Sequence, residues 1–275
     1  MLLIQESHDI ITPFKIAKEG ELSKLGLLKR TVKKLLVSNE TVKKVFFTWR
    51  SSAIDRGLKK QYGGMSRRGI FSSIYSNFAW GGGGNGNYYS GEGSHNEAYV
   101  TPYCNLIKEF LSSHKDIKRV TDLGCGDFNV ASKWLNDEID YIGVDIVPEM
   151  IESHQKNYGS DHVRFMCLDI VDDELPDGDL CLIRQVLQHL NNSDVAKILA
   201  KLKKYKYIII TDSRVPKDKA LAFNIDMETG HHIRTGKLSG LYFDEPPFSL
   251  KIETLLSIPY DPHGDTELVT VLLKN

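Results

Sequence analysis

The run from Val120 to Asp127 constrains the fold of this chain more than any other segment. An apolar stretch ends there at Asp122, and glycines follow at positions 124 and 126. This pattern predicts a buried parallel strand and then a sharp turn, whose bare peptide groups let a ligand lie against the main chain. An amphipathic pattern continues from Asn129 to Leu135. The third glycine of a dinucleotide fingerprint is missing, which favours a smaller nucleoside ligand with an amino-acid tail.

Three further apolar strands follow at similar spacing, and acids end two of them. The strand from Tyr141 to Asp145 ends in a carboxylate that can accept both hydroxyls of a ribose. Asp169 follows the strand from Val163 to Leu168 and can accept a hydrogen bond from an adenine amino group. The strand from Leu180 to Arg184 completes the series. Any one acid could instead cap a helix or end a strand in solvent. Together the acids predict one ligand site outside the carboxyl ends of a parallel sheet.

Over residues 120–210 the chain resembles class I S-adenosylmethionine-dependent methyltransferases. The residues that carry the resemblance are Asp122, Gly124 and Gly126 in the first motif, Asp145, Asp169, and Asp179–His189 in the fourth motif. It implies S-adenosylmethionine as cofactor and an α/β fold. That fold is a seven-stranded, mostly parallel Rossmann-like sheet with helices on both faces, here with an N-terminal helical extension. The predicted cofactor-binding residues are Ser90, Ser94, Asp122, Gly124, Cys125, Gly126, Asp145, Ile146, Asp169, Ile170 and Arg184.

Three short segments narrow the resemblance to a bacterial subgroup often associated with modification of saccharides and cell-surface glycans. They are Ser90–Ser94, Leu123–Asp127 and Leu187–Leu190. The subgroup implies that the acceptor is an oxygen on a sugar, or on a phosphorylated or lipid-linked glycan precursor. Phe128 stands where a tryptophan is expected in that subgroup.

Charge divides the chain near residue 70. Residues 1–70 contain 15 Lys and Arg against 6 Asp and Glu, whereas the remainder contains 20 against 30. Apolar residues recur at helical spacing from Leu22 to Leu36, and a second helix is predicted from Thr41 to Leu58, with Ser38 or Asn39 capping the break.

We therefore predict a basic helical extension over residues 1–70. In one interpretation, the apolar face of this extension covers the catalytic domain. In the other, its basic face binds an anionic acceptor, an anionic membrane or a glycan-assembly enzyme. Nucleic acid is disfavoured, because no arginine-rich or aromatic-interleaved pattern accompanies the charge.

Residues 71–275 are predicted to form one methyltransferase domain. Within it, residues 71–99 carry many glycines flanked by aromatic residues. This composition is compatible with a flexible linker. In our preferred interpretation, it forms a loop that covers the cofactor. In that interpretation Ser90 and Ser94 bind the methionine carboxylate, and Trp80 closes the pocket.

Beyond this loop, a helix is predicted from Asn96 to Leu111 and a fifth strand from Tyr207 to Asp212. Residues 213–249 show little periodicity and leave the carboxyl end of the fifth strand, so they are predicted to bind the acceptor. Residues 250–258 and 267–273 are predicted to form a closing hairpin, whose final strand the resemblance makes antiparallel.

Histidines are the candidates for proton transfer, because a sugar hydroxyl needs a base and histidine titrates near neutral pH. His189, just beyond the fourth strand, is the first candidate, with a structural role against a loop carbonyl as the alternative. His232 is the second. His231, Arg234 and Tyr242 are predicted to bind the acceptor, Arg234 by gripping a phosphate or carboxylate unless it forms a surface salt bridge. No ligand spacing supports a metal site, including around His263, so none is predicted.

Composition limits the remaining choices. The sequence has no long apolar span and no signal-peptide pattern, and its four cysteines lack CxxC spacing, which predicts a cytoplasmic protein with reduced thiols. Two other functions stay open at this stage. One is a nicotinamide-dependent oxidoreductase, and the other is an inactive subunit that keeps the methyltransferase fold to bind a partner.

Overall fold

The computed structural model describes residues 40–82, 88–261 and 265–274. The helix predicted from Leu22 to Leu36, its cap at Ser38 or Asn39, and His263 lie outside these residues. Of the predicted N-terminal extension, the structure therefore describes only residues 40–70.

A seven-stranded sheet forms the centre of the molecule. Its strands are β1 (Arg119–Leu123), β2 (Asp140–Asp145), β3 (Val163–Cys167), β4 (Leu180–Arg184), β5 (Tyr207–Arg214), β6 (Ile252–Pro259) and β7 (Glu267–Leu273). Their spatial order is β3-β2-β1-β4-β5-β7-β6. The first five strands are parallel, and β7 runs antiparallel between β5 and β6. The predicted mostly parallel sheet with a closing hairpin is confirmed, and the carboxyl ends of β1 to β4 meet at one edge.

Helices flank the sheet and precede it. They are α1 (Glu40–Tyr62), α2 (Arg67–Ser76), the single turn α3 (Glu92–His95), α4 (Glu97–Ser113), α5 (Pro148–Tyr158) and α6 (Asn192–Lys201). α1 and α4 confirm the helices predicted at 41–58 and 96–111, and Asn96 caps α4 by accepting from the Ala98 amide. No helix in the described part of the chain is long and apolar enough to cross a membrane.

Alternate side chains of the strands point to opposite faces of the sheet, and a hydrophobic core lies on each face. On β4, Leu180 and Leu182 pack with α4, whereas Cys181 and Ile183 pack with α6. Because successive strand residues point to opposite faces, a strand that is apolar throughout must be covered on both sides. The hydrophobic run of β4 is therefore explained by helices on both faces.

The segment after β1 differs from the regular strand–turn–helix pattern. Between Asn129 and Leu135, where the sequence is amphipathic, the chain forms turns and a short 3-10 helix at Ala131–Lys133. Trp134 is buried there, and Phe128 has a positive φ of 65°. The apolar residues of this segment thus pack into the core on the α4 face of the sheet without a regular α-helix.

Helix α1 is held against the domain rather than separated from it. Phe47, Ile54 and Leu58 form its buried face. The Lys237 ammonium, which is completely buried, bonds both carboxylate oxygens of Asp55 at 2.7 and 2.8 Å. This ion pair fixes α1 to the long segment that follows β5.

Candidate functional site

A cavity of about 760 Å³ opens at the carboxyl edge of β1 to β4. All eleven predicted cofactor-binding residues line it, as do His189, His231 and His232. The cavity has two parts. We define the acceptor compartment by the residues from α1 and the 231–236 segment, which are Arg50, Ala53, Ile54, Gly57, Leu58, Gln61, His231, His232, Ile233 and Gly236. We call the part against the sheet edge and residues 90–94 the cofactor compartment.

The glycine turn after β1 forms the floor of the cofactor compartment. Gly124 and Gly126 have positive φ angles of 82° and 55°. A Cβ atom on Gly126 would collide with Ser90 Oγ, and one on Gly124 would collide with the side chain of Val186. The sequence needs glycine at both positions, because the backbone is left-handed there and other groups approach closely.

Asp145 ends β2 directly beside this turn. Its Oδ1 atom accepts from the amides of Ile146 (2.7 Å) and Val147 (3.2 Å), and its Oδ2 atom accepts from Gly126 at 3.1 Å. Burial raises the pKa of Asp145 to about 6, although these amides oppose the shift. The carboxylate is thus fixed in orientation and retains acceptor capacity toward the cavity.

Opposite charges face the cavity from β1 and β4. Asp122 accepts from Tyr141 Oη at 2.8 Å, and burial raises its pKa to about 6. The Arg184 guanidinium donates to the Gly93 carbonyl at 2.7 Å and lies over the ring of Tyr103. Its buried Nε has no partner among the described residues. Asp122 and Arg184 both have spare hydrogen-bonding capacity. The carboxylate suits the ammonium of a free amino-acid tail, and the guanidinium suits its carboxylate.

Ser90 links the glycine-rich segment to the motif turn. Its amide donates to Asp127 Oδ2 at 2.7 Å, while its hydroxyl accepts from the Asp127 amide at 2.8 Å and bonds Tyr75 Oη at 2.8 Å. His95 Nε2 contacts the same Asp127 oxygen at 2.6 Å. The Ser90 hydroxyl therefore positions the segment, whereas Ser94 Oγ lies 3.5 Å from the Arg184 guanidinium.

At the opposite end of the cofactor compartment, Asp169 lies beside Arg67. The Arg67 Nε atom bonds its two oxygens at 2.9 and 3.2 Å, and the guanidinium also contacts Asp172 and Asp194. The Val171 amide donates to the Asp169 Oδ1 atom at 3.0 Å. Asp169 is thus at the predicted place, but it shares its charge with an arginine that the sequence analysis did not identify.

Helix α2 runs along the cofactor compartment. Arg67, Phe71 and Tyr75 line the cavity and are spaced four residues apart, so they share one helix face. Arg67 lies at the Asp169 end, and Tyr75 bonds Ser90 near the motif turn. Helix α2 therefore forms one wall of the cofactor compartment, from Asp169 to the motif turn.

His189 lies in the cavity wall with both ring nitrogens in contact. Its Nδ1 atom is 3.2 Å from each of the carbonyls of Gly230 and His232, so it carries the proton. The Gln188 amide oxygen accepts from Ser213, which leaves Gln188 Nε2 to donate to His189 Nε2 at 3.4 Å. Burial lowers the pKa of His189 to about 4, so the imidazole is neutral at pH 7.

His231 and His232 lie close to Trp80. The two imidazole centroids are 4.1 Å apart, and Trp80 Nε1 donates to the His231 carbonyl at 3.3 Å. Tyr62 Oη bonds His231 Nδ1 at 3.0 Å, and burial lowers the pKa of His231 to about 4. The Trp80 ring packs 4.9 Å from His189, where it forms part of the boundary between the two compartments.

Two predicted acceptor-binding residues are elsewhere. Arg234 is buried and donates to the carbonyls of Leu187, Gln188, Leu190 and Ile225 and to Asn192 Oδ1, so it is neither a phosphate-binding group nor a surface salt bridge. Tyr242 is fully buried and donates to the Val215 carbonyl at 2.6 Å. Neither side chain lines the cavity. Both predictions were wrong because the 213–249 segment, although irregular, is packed through its own polar side chains.

Helix α1 contributes a wall that the sequence analysis did not assign to the site. Ile54 and Leu58 line the acceptor compartment, and Leu58 approaches so closely that a Cβ on Gly230 would collide with it. The sequence feature that could have revealed this wall is that α1 has two sets of apolar residues. Its more amino-terminal residues Val42, Val45 and Trp49 are exposed, whereas Phe47, Ile54 and Leu58 are buried.

One family model and several solved structures are similar to this chain. Residues 120–205 match the methyltransferase domain family. The matched segment extends from β1 to the end of the β4–α6 unit and includes the glycine turn and the three acids. No curated protein matches the sequence significantly.

Several solved methyltransferases are similar in structure to part of this chain. NodS, an N-methyltransferase from Bradyrhizobium japonicum WM9, is 14% identical over 66% of this chain and 99% of its own, with a TM-score of 0.46. Magnesium protoporphyrin IX methyltransferase from Synechocystis PCC 6803 is 14% identical over 78% and 99%, with a TM-score of 0.48. The 1,6-didemethyltoxoflavin-N1-methyltransferase of Burkholderia thailandensis is 16% identical over 76% and 87%, with a TM-score of 0.46.

Proposed function

We propose that this protein is an S-adenosylmethionine-dependent methyltransferase that methylates an oxygen of a sugar, or of a phosphorylated or lipid-linked glycan precursor. The observation that carries the cofactor assignment is the set of buried charges beside the glycine turn. Asp145 is oriented by three amides, and Asp122 lies opposite the Arg184 guanidinium, whose Nε atom has no partner in the described chain.

The cavity's shape and charges fit this cofactor. Gly126 has a positive φ, and a Cβ there would collide with Ser90 Oγ, so glycine lets the segment around Ser90 close on the motif turn. The charges of Asp122 and Arg184 also complement an amino-acid tail, which a nicotinamide dinucleotide lacks. When bound, S-adenosylmethionine supplies an electrophilic methyl group on a sulfonium centre.

The chain's own residues then have three tasks: to hold the acceptor in line, to exclude water and to take up a proton. Trp80 and α2 enclose the cavity, and Ile54 and Leu58 present an apolar wall. His189 is the proposed proton acceptor through Nε2, the nitrogen that carries no hydrogen. Its low pKa keeps Nε2 without a hydrogen over the physiological pH range, although it also makes the imidazole a weak base, and the 3.4 Å contact with Gln188 Nε2 must give way to the acceptor.

The proposed acceptor rests on the subgroup resemblance of Ser90–Ser94, Leu123–Asp127 and Leu187–Leu190, together with the basic charge of residues 1–70. The predicted contact of residues 1–70 with an anionic membrane or a glycan-assembly enzyme stays a prediction. Within this segment, Val45 and Trp49 are 66% and 53% exposed on α1.

Calorimetric titration tests the cofactor assignment. We expect the protein to bind S-adenosylhomocysteine and not NADH. Asp145→Ala and Gly126→Ala should each weaken binding by at least tenfold while the protein stays folded. Gly69→Ala is the matched control, because a Cβ there meets only ordinary contacts. Binding of NADH without S-adenosylhomocysteine, or unchanged affinity in Asp145→Ala, would contradict the assignment and favour an oxidoreductase.

A further inference from the structure

Helix α1 carries large apolar side chains on the side opposite its buried face. Val42, Val45 and Trp49 are exposed, whereas Phe47 and Ile54 are buried against the domain. Spacings of three and four residues place the three exposed side chains in one row along the helix. Apolar side chains that adjoin one another in solvent are typical of a surface that binds a partner.

Exposed cations continue this row toward the end of the helix. Arg56 lies seven residues after Trp49, and Lys60 lies four residues after Arg56, so both share the same side of α1. Neither cation forms a salt bridge within the described part of the chain. We call the row of Val42, Val45, Trp49, Arg56 and Lys60 the outer stripe of α1. The stripe is apolar toward the start of the helix and positively charged toward its end.

The charge of α1 as a whole is also positive. The helix contains six Lys and Arg residues and two acids, Glu40 and Asp55. Asp55 is already paired with the buried ammonium of Lys237. Because little negative charge remains on this helix, its exposed cations are best complemented by an anionic partner.

The mouth of the acceptor compartment lies beside the outer stripe of α1. Three residues of the compartment's lining are exposed, namely Gly57, Gln61 and His232. Gly57 directly follows Arg56, and a Cβ atom there would meet no other group within 4 Å, so the compartment opens past this edge of the helix. The outer stripe and the mouth are therefore about one helix diameter apart, ~10 Å. A surface that binds the outer stripe borders the mouth.

We propose that the outer stripe of α1 binds the surface of an anionic membrane. A helix that lies in the membrane interface inserts tryptophan and aliphatic side chains between the headgroups, while its lysines and arginines contact anionic lipids. The outer stripe has both kinds of group on one side. In this orientation a saccharide attached to a membrane lipid reaches the acceptor compartment from the bilayer, which favours the lipid-linked precursor among the proposed acceptors. The proposal rests on the proposed function, because it takes the adjoining cavity to be the acceptor site.

Sedimentation of the full-length protein with lipid vesicles tests the proposal. The vesicles contain either phosphatidylcholine alone or an equal mixture of phosphatidylcholine and phosphatidylglycerol. We expect the protein to bind the mixed vesicles at least about tenfold more tightly, and added salt to weaken this binding. The tryptophan emission of the bound protein should shift to shorter wavelength, and Trp49→Ser should abolish the shift.

A pair of matched substitutions assigns the apolar part of the contact. Trp49→Ser should weaken binding to the mixed vesicles by at least about fivefold. Tyr158→Ser removes an equally exposed aromatic ring and should leave the binding unchanged, since Tyr158 is 51% exposed against 53% for Trp49. Tyr158 ends α5, which runs back along the sheet from the carboxyl end of β2, so it lies far from the mouth of the cavity.

A second pair assigns the charged part of the contact. The double variant Arg56→Gln with Lys60→Gln should weaken binding to the mixed vesicles by at least about fivefold. Lys108→Gln with Lys115→Gln removes the same charge from exposed positions in and just after α4, and should leave the binding unchanged.

Absence of binding to the mixed vesicles, or full binding in both α1 variants, would overturn the proposal. Sedimentation velocity without lipid provides a further test. A dimer that Trp49→Ser dissociates would overturn the proposal by assigning the outer stripe to a second copy of the chain. Failure of S-adenosylhomocysteine to bind the protein would instead contradict the proposed function. The vesicle experiments do not require that ligand, so the two failures are distinguishable.

Discussion

At the residue scale, the site depends on a few buried ionisable groups whose environments differ sharply. Desolvation raises the pKa values of Asp122 and Asp145 to about 6 and lowers those of His189 and His231 to about 4. At pH 7 both acids are ionised and both imidazoles are neutral. In the proposed function, the acids recognise charge and the neutral imidazoles form hydrogen bonds and take up a proton.

Replacing His189 separates a catalytic role from a structural one. His189→Asn can keep a donor near the Gly230 carbonyl in place of Nδ1–H and lacks the Nε2 acceptor. If Nε2 takes a proton from the acceptor, both His189→Asn and His189→Ala should lower kcat by at least about tenfold. Affinity for S-adenosylhomocysteine should stay within about twofold. Full turnover in His189→Asn would show that the side chain only supports the loop and that the base lies elsewhere, with His231 or His232 the next candidates.

Asp212 gives a residue-scale prediction about stability. It is buried at the carboxyl end of β5, and neither of its oxygens has a hydrogen-bond partner among the described residues. Burial raises its pKa to about 8, so the folded state holds a proton that the unfolded state releases above about pH 4. Its contribution to stability is therefore fully present below that pH and is lost as the pH rises toward 8.

Asp212→Asn should remove this pH dependence. We expect the variant and the unmodified protein to be equally stable near pH 4, and the variant to be more stable by at least about 1 kcal/mol at pH 8. Denaturant unfolding at several pH values measures the difference. A constant difference across this range would contradict the assignment of a buried proton to Asp212.

At the scale of elements, α1 and the segment after β5 form one wall, and the ion pair between Asp55 and Lys237 joins them. Lys237 is completely buried, and its ammonium also donates to the Asp226 carbonyl at 2.8 Å. Removing one partner would leave a buried charge without its counterion, which costs more than loss of an exposed pair.

Asp55→Asn should therefore lower the free energy of unfolding by about 2 kcal/mol, a value reduced because Asp55 is partly exposed. The exposed pair of Lys206 and Asp116 provides the control, and Asp116→Asn should cost less than about 0.5 kcal/mol. Equal losses in the two variants, measured by urea unfolding, would show that the Asp55 pair does not hold α1 in place.

The sequence predicts the elements with strong periodicity and leaves the irregular ones open. β1 to β5, α4 and the closing hairpin follow from apolar runs and capping residues, so their positions were predicted closely. The roles of Arg234 and Tyr242 were mistaken because a polar residue in an aperiodic segment gives no sign of whether it faces solvent, ligand or backbone. Arg234 is in fact held by four backbone carbonyls, three of which belong to the distant residues Leu187, Gln188 and Leu190.

At the scale of the whole molecule, the edge of the sheet and the segments before it together make the site. The edge supplies Asp122, Asp145 and the glycine turn, which local sequence patterns reveal. α1 and α2 supply Arg50, Arg67 and Tyr75, whose places depend on how these helices pack against residues far away in the chain. The sheet-edge half of the cofactor compartment could therefore be predicted from sequence, whereas its α2 wall and the acceptor compartment required the tertiary structure.

The most direct test of this account is a crystal structure of the protein with S-adenosylhomocysteine. We expect the ribose hydroxyls within hydrogen-bond distance of Asp145, and the amino-acid tail between Asp122 and Arg184. The thioether sulfur should face the acceptor compartment beside Trp80. A ligand bound outside this cavity, or a tail that contacts neither Asp122 nor Arg184, would contradict the account.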